Sequence, residues 1–303
     1  SEALIAGIAS TGCDVKDIGC VPTPVLYFAT HYLDTQSGVV VTGSHNPPDY
    51  NGLKIVIDGE TLSGESIQSL HERIKAGKFI SGEGSVEMIN VVPDYIERIR
   101  SDVTVARPLK VVVDCGNGVA GGVIPQLLKG LGCEVTELFC EVDGNFPNHH
   151  PDPSKAENMQ DLITAVADTQ ADIGLAFDGD GDRVHMVDAQ GALLDGDELI
   201  YIIAGHRHAR GELAGGVVGT VMTNLGLEKA LQGMAVPFAR AKVGDRYVTE
   251  MLLAKGWQLG GETSGHILCL DLNSTGDAIV AALQALMPMV ERGCTLHELL
   301  GGM

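Results

Sequence analysis

The sequence predicts an α/β protein, built as consecutive layered α/β domains with mixed, mostly parallel sheets. Three observations carry that reading. Short runs rich in Val, Ile and Leu recur along the 303 residues, separated by helical patterns of roughly ten to fifteen residues. Glycine is abundant, at 39 residues, as tight turns between strands and helices require. Aromatic residues are only 4% against 45% hydrophobic, so Ala, Val and Leu must fill the layers. A length of this order suits about two domains, or three small ones; the pattern divides best as 1–92, 93–190 and 191–303.

In the first unit, Glu2–Ser10 reads as helix, Cys13–Gly19 as strand and Thr23–Asp34 as a helix capped by Thr23-Pro24. Two β-branched runs, Gly38–Val41 and Leu53–Ile57, flank a loop packed with Gly, Asn, Asp and Pro, so strand, tight loop, strand is expected. Ser63–Lys75 is an amphipathic helix with Ile67, Leu70 and Ile74 on one face. Residues 77–92 are Gly/Ser-rich and weakly patterned, a boundary, with Pro93–Ser101 as a connecting helix.

The second unit opens on Leu109–Asp114, a strand apolar enough to be buried on both faces. The turn Gly116-Asn117-Gly118, a helix to Gly132 and strand Cys133–Phe139 follow. The Pro- and His-rich stretch Glu141–Pro153 is too specific in composition to be a linker. Helix Lys155–Asp168 and strand Asp172–Phe177 close the unit. Beyond residue 190 the alternation resumes: helices Asp197–Ala209, Leu225–Gln232, Asp245–Lys255 and Thr275–Glu291, with strands Gly216–Val221, Val236–Ala241, Trp257–Gly260 and His266–Leu270. The chain starts at Ser1 inside a helical pattern and stops at Met303 in another, which points to a fragment with its first strand missing.

A net charge of −20 argues against nucleic acid and anionic membrane as partners, and obliges any anionic substrate to find a metal or a local island of cations. Seven cysteines without a C-x-x-C pair, most inside apolar runs, read as buried thiols of a cytoplasmic protein. His206 and His208 read as surface residues.

Five stretches bear chemistry. Thr42-Gly43-Ser44-His45-Asn46 puts a serine at a loop tip, with Gly43 leaving room for a bulky group; ordinary turn chemistry is the rival reading. Asp178-Gly179-Asp180-Gly181-Asp182-Arg183 sets three carboxylates at alternate positions, which would repel one another unless curled around a cation. Oxygen ligands alone select Mg²⁺ or Ca²⁺ over zinc, and an EF-hand fails because its glycine and glutamate positions are Arg183 and Ala189. Gly116–Gly121 matches G-x-G-x-x-G, with Glu137 or Glu141 beyond it, so an NAD-dependent oxidoreductase is one alternative, although the same glycines serve any tight turn. Gly260–His266 offers Glu262, Thr263, Ser264 and His266 from one short loop, a set able to grip sugar hydroxyls. Arg240, Lys242 and Arg246, around Gly244, form an anion contact ahead of a helix N-terminus or else a solvated face.

Taken in this order, T-G-S-H-N-P, D-G-D-G-D-R and G-E-T-S-G-H resemble the phosphoserine, metal and sugar-binding loops of the α-D-phosphohexomutase family. The resemblance implies three of the family's four domains, the first incomplete. It implies a phosphohexomutase of the phosphomannomutase/phosphoglucomutase type, an isomerase passing phosphoryl between O1 and O6 of a hexose phosphate. Ser44 would carry the phosphoryl group, and one of its oxygens would join Asp178, Asp180 and Asp182 around one Mg²⁺. His45, Lys54 and Arg183 would offset the phosphate charge, with His266 as acid/base. Lys242, Gly244, Arg246, Glu262, Ser264 and His266 would contact the substrate, and glucose 1,6-bisphosphate would act as activator. A monomer or weak homo-oligomer is expected. The family's fourth-domain phosphate-binding loop lies beyond the sequence, so weak or no turnover with metal binding retained is expected, and a non-catalytic phosphosugar-binding fragment is a further alternative. Up to the metal loop the chain looks like bacterial phosphomannomutase/phosphoglucomutase. After it, G-T-V-M-T-N-L-G-L-E and P-F-A-R-A-K-V-G-D-R-Y-V look like phosphoglucosamine mutase, with a seam near Arg183-Val184.

Overall fold

The computed structural model describes residues 1–44, 46, 50–103 and 108–303. His45 therefore lies outside the described residues. The layered α/β architecture expected from the alternation is the one observed.

The chain begins with α1 (Glu2–Ala9), β1 (Val15–Asp17), α2 (Thr23–Tyr32), β2 (Gly38–Thr42), β3 (Gly52–Ile57), β4 (Glu60–Thr61), α3 (Glu65–Lys75) and β5 (Val86–Met88). Strands β2, β3 and β4 form an antiparallel meander, with Thr42 opposite Gly52 at the serine loop. The stretch read as a boundary contains β5, which pairs in parallel with β1. Its residues are all exposed, so no burial alternation marked it. The amphipathic helix read over Ser63–Lys75 is α3; on its apolar face Ile67 and Leu70 are half-buried and Ile74 is exposed.

Next come α4 (Val92–Ser101), β6 (Lys110–Asp114), α5 (Ile124–Gly130), β7 (Glu134–Leu138), α6 (Gln160–Thr169), β8 (Ile173–Phe177), β9 (Val184–Asp188) and β10 (Leu193–Leu194). They build a sheet in the order β10-β9-β8-β6-β7. β6 is flanked in parallel by β7 and β8, which is why its Val111-Val112-Val113 run is apolar on both faces. The acidic loop does not end the unit. It is the turn of the antiparallel hairpin β8–β9, and β9 is buried throughout; Val184-His185-Met186-Val187-Asp188 hides its strand character behind a buried His and Asp.

The last sheet runs β12-β11-β13-β14, from α7 (Gly196–Arg210), β11 (Val217–Thr220), α8 (Leu225–Gly233), β12 (Phe238–Ala241), α9 (Asp245–Lys255), β13 (Leu259–Gly261), β14 (Ile267–Cys269), α10 (Ala278–Arg292) and α11 (Leu296–Leu299). Helix α7 packs against α8, α10 and β13, so it is covered on more than one side. His206 is buried in consequence, contrary to the surface reading, while His208 is exposed. The cysteines divide likewise: Cys115, Cys133 and Cys269 are buried, Cys13 and Cys20 exposed. One apolar cluster runs continuously from Val25 on α2 through β6 and β8 to α10, so the three layers share a core. A buried polar knot crosses it. Tyr95 Oη donates to Asp277 Oδ2 (2.8 Å), which also accepts from Asn273, while Asp277 Oδ1 caps α10 at the amides of Ile279 and Val280. Among the described residues no helix is long and apolar enough to cross a membrane.

Candidate active site

The serine loop and the acidic loop meet. Ser44 Oγ donates to Asp178 Oδ2 at 3.2 Å, joining residues 134 positions apart in the chain. Ser44 has φ +50, a region that a residue with a side chain enters at a cost of order 1 kcal/mol. The Ser44 amide donating to Thr42 Oγ1 (2.8 Å) and the contact with Asp178 hold it there. Approach is possible because position 179 is glycine: a Cβ there would collide with the Ser44 carbonyl oxygen.

Asp178, Asp180 and Asp182 are buried, and one oxygen from each lies within 4.8 Å of the others. Lys54, on β3, puts its ammonium between two of them, 2.9 Å from Asp180 Oδ2 and 2.6 Å from Asp182 Oδ2. Burial alone would depress the lysine, but Asp182 and Asp180 outweigh it and push its pKa up. Burial and its two acidic neighbours raise Asp178 well above the usual carboxylate range. Asp182 goes the other way: burial opposes ionisation, and the charges of His266 and Lys54 overcome it. A single ammonium does not exhaust the donor set. Among the described residues Asp180 Oδ1 and Asp182 Oδ1 are buried without a hydrogen-bond partner, an arrangement that a divalent cation satisfies and a protein interior otherwise penalises. The triad therefore fits a hard metal ion.

Thr23 was missed by sequence reasoning. Read as the cap of α2, it is the first helical residue behind Pro22, and its hydroxyl and amide both go to Asp180: Oγ1 donates to Oδ2 (2.8 Å) and N to the carbonyl (2.9 Å). A Thr before Pro is so common at helix starts that no local signal separates the two uses.

Arg183 and His266 join the same cluster. The Arg183 amide donates to Asp178 Oδ1 (3.1 Å), and Arg183 pairs with His266 in an antiparallel bridge, extended by Val184 N donating to Gly265 O. His266 Nδ1 lies 3.6 Å from Asp182 Oδ1. Burial works against its imidazolium, but Asp182 more than compensates and raises its pKa. The ring fits only because Gly276 has no side chain.

The remaining substrate candidates are arranged in two turns. Glu262 Oε1 accepts from the Gly244 amide (2.8 Å), tying the two loops together, and Ser264 is half-buried beside it. Lys242 is exposed with its ammonium over the Tyr247 ring, and Arg246 pairs with Glu250 of its own helix (2.6 Å). Arg240 is withdrawn from any ligand: it binds Glu228 and the carbonyls of Thr220 and Thr223.

The Gly116–Gly121 turn is used internally. Its amides go to Phe139 O, Cys115 O, Gly179 O and Gly118 O, and a Cβ at Gly118 would lie 2.8 Å from Gly179 O. A short 3₁₀ turn, Val119–Gly122, follows in place of a helix N-terminus, so no amide cradle is open to a pyrophosphate. The Pro- and His-rich stretch braces this turn: His149 Nε2 contacts Asp114 (3.0 Å), Asn148 donates to Asn117 Oδ1 (2.8 Å), and Pro151 packs on Gly116.

Family descriptions of phosphoglucomutase/phosphomannomutase alpha/beta/alpha domains I, II and III match residues 1–81, 93–191 and 195–303 respectively. The chain belongs to the phosphoglucomutase/phosphomannomutase family. It is 50% identical over 266 residues to the phosphomannomutase/phosphoglucomutase of Pseudomonas aeruginosa, covering 88% of this chain and 57% of that protein. To the phosphoglucosamine mutase of Pseudomonas putida it is 45% identical over 305 residues, covering 98% of this chain and 68% of that one. A solved family structure from Burkholderia thailandensis superposes with a TM-score of 0.92 at 39% identity, over 100% of this chain and 68% of its own. The chain thus spans just over half the length of the Pseudomonas aeruginosa relative.

Proposed function

We propose that this member of the family carries the phosphoryl-bearing, metal-holding and sugar-contacting parts of a phosphohexomutase, organised as 1–92, 93–190 and 191–303. Phosphoryl moves between O1 and O6 of a hexose phosphate through phosphoserine at Ser44 and a hexose 1,6-bisphosphate. The observation that carries the reading is the meeting of the Ser44 hydroxyl with the buried aspartate triad.

When bound, Mg²⁺ on Asp178, Asp180 and Asp182 supplies positive charge against the phosphoryl oxygens. In the transfer itself the Ser44 Oγ–P bond forms as the sugar O–P bond breaks, and the serine proton ends on the sugar oxygen. Lys54 and Arg183, half-buried beside the triad, offset the charge of the incoming phosphate. His266, whose imidazolium Asp182 favours against burial, holds a proton for the sugar hydroxyl. The joined turns of Gly244 and Glu262, with Ser264, Lys242 and Arg246 around them, contact the sugar and its phosphate. Identity to phosphoglucosamine mutase along nearly the whole chain supports a second reading in which the sugar is glucosamine phosphate.

The test is phosphopeptide mapping after incubation with Mg²⁺ and glucose 1,6-bisphosphate. Label on Ser44 is expected, and its absence in metal-loaded protein sinks the transfer reading and leaves a phosphosugar-binding role. Loss of that label on adding glucose, mannose or glucosamine phosphate separates the sugars.

A further inference from the structure

We propose that Cys115 and Cys140 form a reversible oxidative modification site, a disulfide made by hydroperoxide, that acts on the bed beneath the acidic loop. The two sulfurs are 3.5 Å apart, with the Cys140 thiol donating toward Cys115. They sit side by side at the ends of neighbouring parallel strands: Cys115 follows β6, Cys140 closely follows β7, and the Cys115 amide donates to Leu138 O. A bridge requires about 2.05 Å between sulfurs, so they close by roughly 1.5 Å, within reach of a side-chain rotation and a small backbone shift.

Access differs between the two. Cys115 is fully buried, and burial together with the neighbouring thiol keeps it protonated. Cys140 is only half-buried, so it meets a small oxidant first. Cys140 gives up its proton and its thiolate attacks one hydroperoxide oxygen; the O–O bond breaks, the departing hydroxide takes up that proton and leaves as water for hydrogen peroxide, and Cys140 becomes a sulfenic acid. The Cys115 sulfur then attacks the Cys140 sulfur, the S–O bond breaks, and the Cys115 proton leaves with hydroxide as a second water. Two thiols lose two electrons, and one peroxide is reduced to two waters.

The location makes the bond consequential. Cys115 immediately precedes the Gly116–Gly118 turn, and Cys140 immediately precedes the stretch whose Pro151 packs on Gly116 and Gly179. A Cβ at Gly121 would strike the Cys140 carbonyl, Val119 N donates to Gly179 O (3.1 Å), and Gly118 abuts the backbone of Asp178 and Gly179. The backbone part of the closure is therefore transmitted through this turn toward Asp178 and Gly179. We expect the oxidised chain to lose part of its Mg²⁺ affinity, a part of the proposal that rests on the metal reading above.

The experiment uses the 303-residue chain with Cys13→Ser and Cys20→Ser, which removes the two exposed thiols. Treatment with hydrogen peroxide and a non-reducing peptide map should yield a peptide pair linked through Cys115 and Cys140, lost with dithiothreitol and absent from the Cys140→Ser chain. Both peptides remaining reduced, or Cys140 passing to sulfinic acid without a link, overturns the site. Calorimetric Mg²⁺ titration before and after oxidation reads the coupling. Equal affinities overturn that coupling while leaving the bridge standing, and no Mg²⁺ binding by the reduced chain condemns the metal reading instead. The map of the parent chain decides the bridge even if Cys140→Ser fails to fold.

Discussion

Replacing Lys54 by Met tests how the buried acids are held when no divalent ion is present. At an effective dielectric of about 20, opposite unit charges at 2.6 and 2.9 Å attract by roughly 6 kcal/mol each. Most of that gross attraction offsets desolvation; what a variant loses is the penalty of stranded charge, about 3–5 kcal/mol for a fully buried pair. The Lys54 side chain is 31% exposed against 5–6% for its partners, so solvent screens part of the loss and about 3 kcal/mol is the expected figure. Urea unfolding in EDTA should show that drop. Mg²⁺ should then recover more stability in the variant than in the parent, because it need not evict an ammonium and stabilisation grows with affinity. A variant as stable as the parent in EDTA, with no larger response to Mg²⁺, would refute the placement of Lys54 as the resident counter-charge.

Three further outcomes are expected. Thr23→Val keeps the shape of the side chain but removes the hydroxyl from Asp180, so stability falls by about 1–2 kcal/mol and Mg²⁺ binding weakens in calorimetry. Tyr95→Phe strips one donor from buried Asp277 and should cost about 2 kcal/mol in urea unfolding, with α10 losing part of its protection from hydrogen exchange. Hydrogen bonding to Asp114 raises the pKa of His149 against the effect of burial. Its stabilising contribution is therefore complete below the unfolded value of about 6.5 and fades as pH rises through the elevated folded value. The melting temperature of His149→Gln should approach that of the parent as pH increases across this window.

Where a residue's role is local, the sequence revealed it; where the role depends on a distant partner, it did not. The triad was legible because three acids spaced by glycines have few other uses, and β6 because Val-Val-Val needs cover on both faces. Ser44 was visible as a loop tip, but only folding shows that its hydroxyl ends on Asp178. Thr23 was hidden because its partner lies 157 positions away. β5 and β9 escaped for opposite reasons, one too polar and exposed to look like a strand, the other carrying a His and an Asp that the interior accommodates. His206 was misread because a helix rich in polar residues looks solvent-facing, whereas α7 packs against α8, α10 and β13.

The strand-like bridge of Arg183 to His266, continued by Val184 to Gly265, welds the exit of the acidic loop to the exit of the turn that bears Glu262 and Ser264. Those two loops cannot drift apart without breaking main-chain hydrogen bonds. Together they behave as a ruler of fixed length; on the proposed function, a sugar lying across them would be measured from the phosphorus outward. On that proposal, preference among hexoses would lie in which side-chain tips the ruler presents, and adjustment for size would fall to the serine loop, which reaches the acidic loop from a separate sheet.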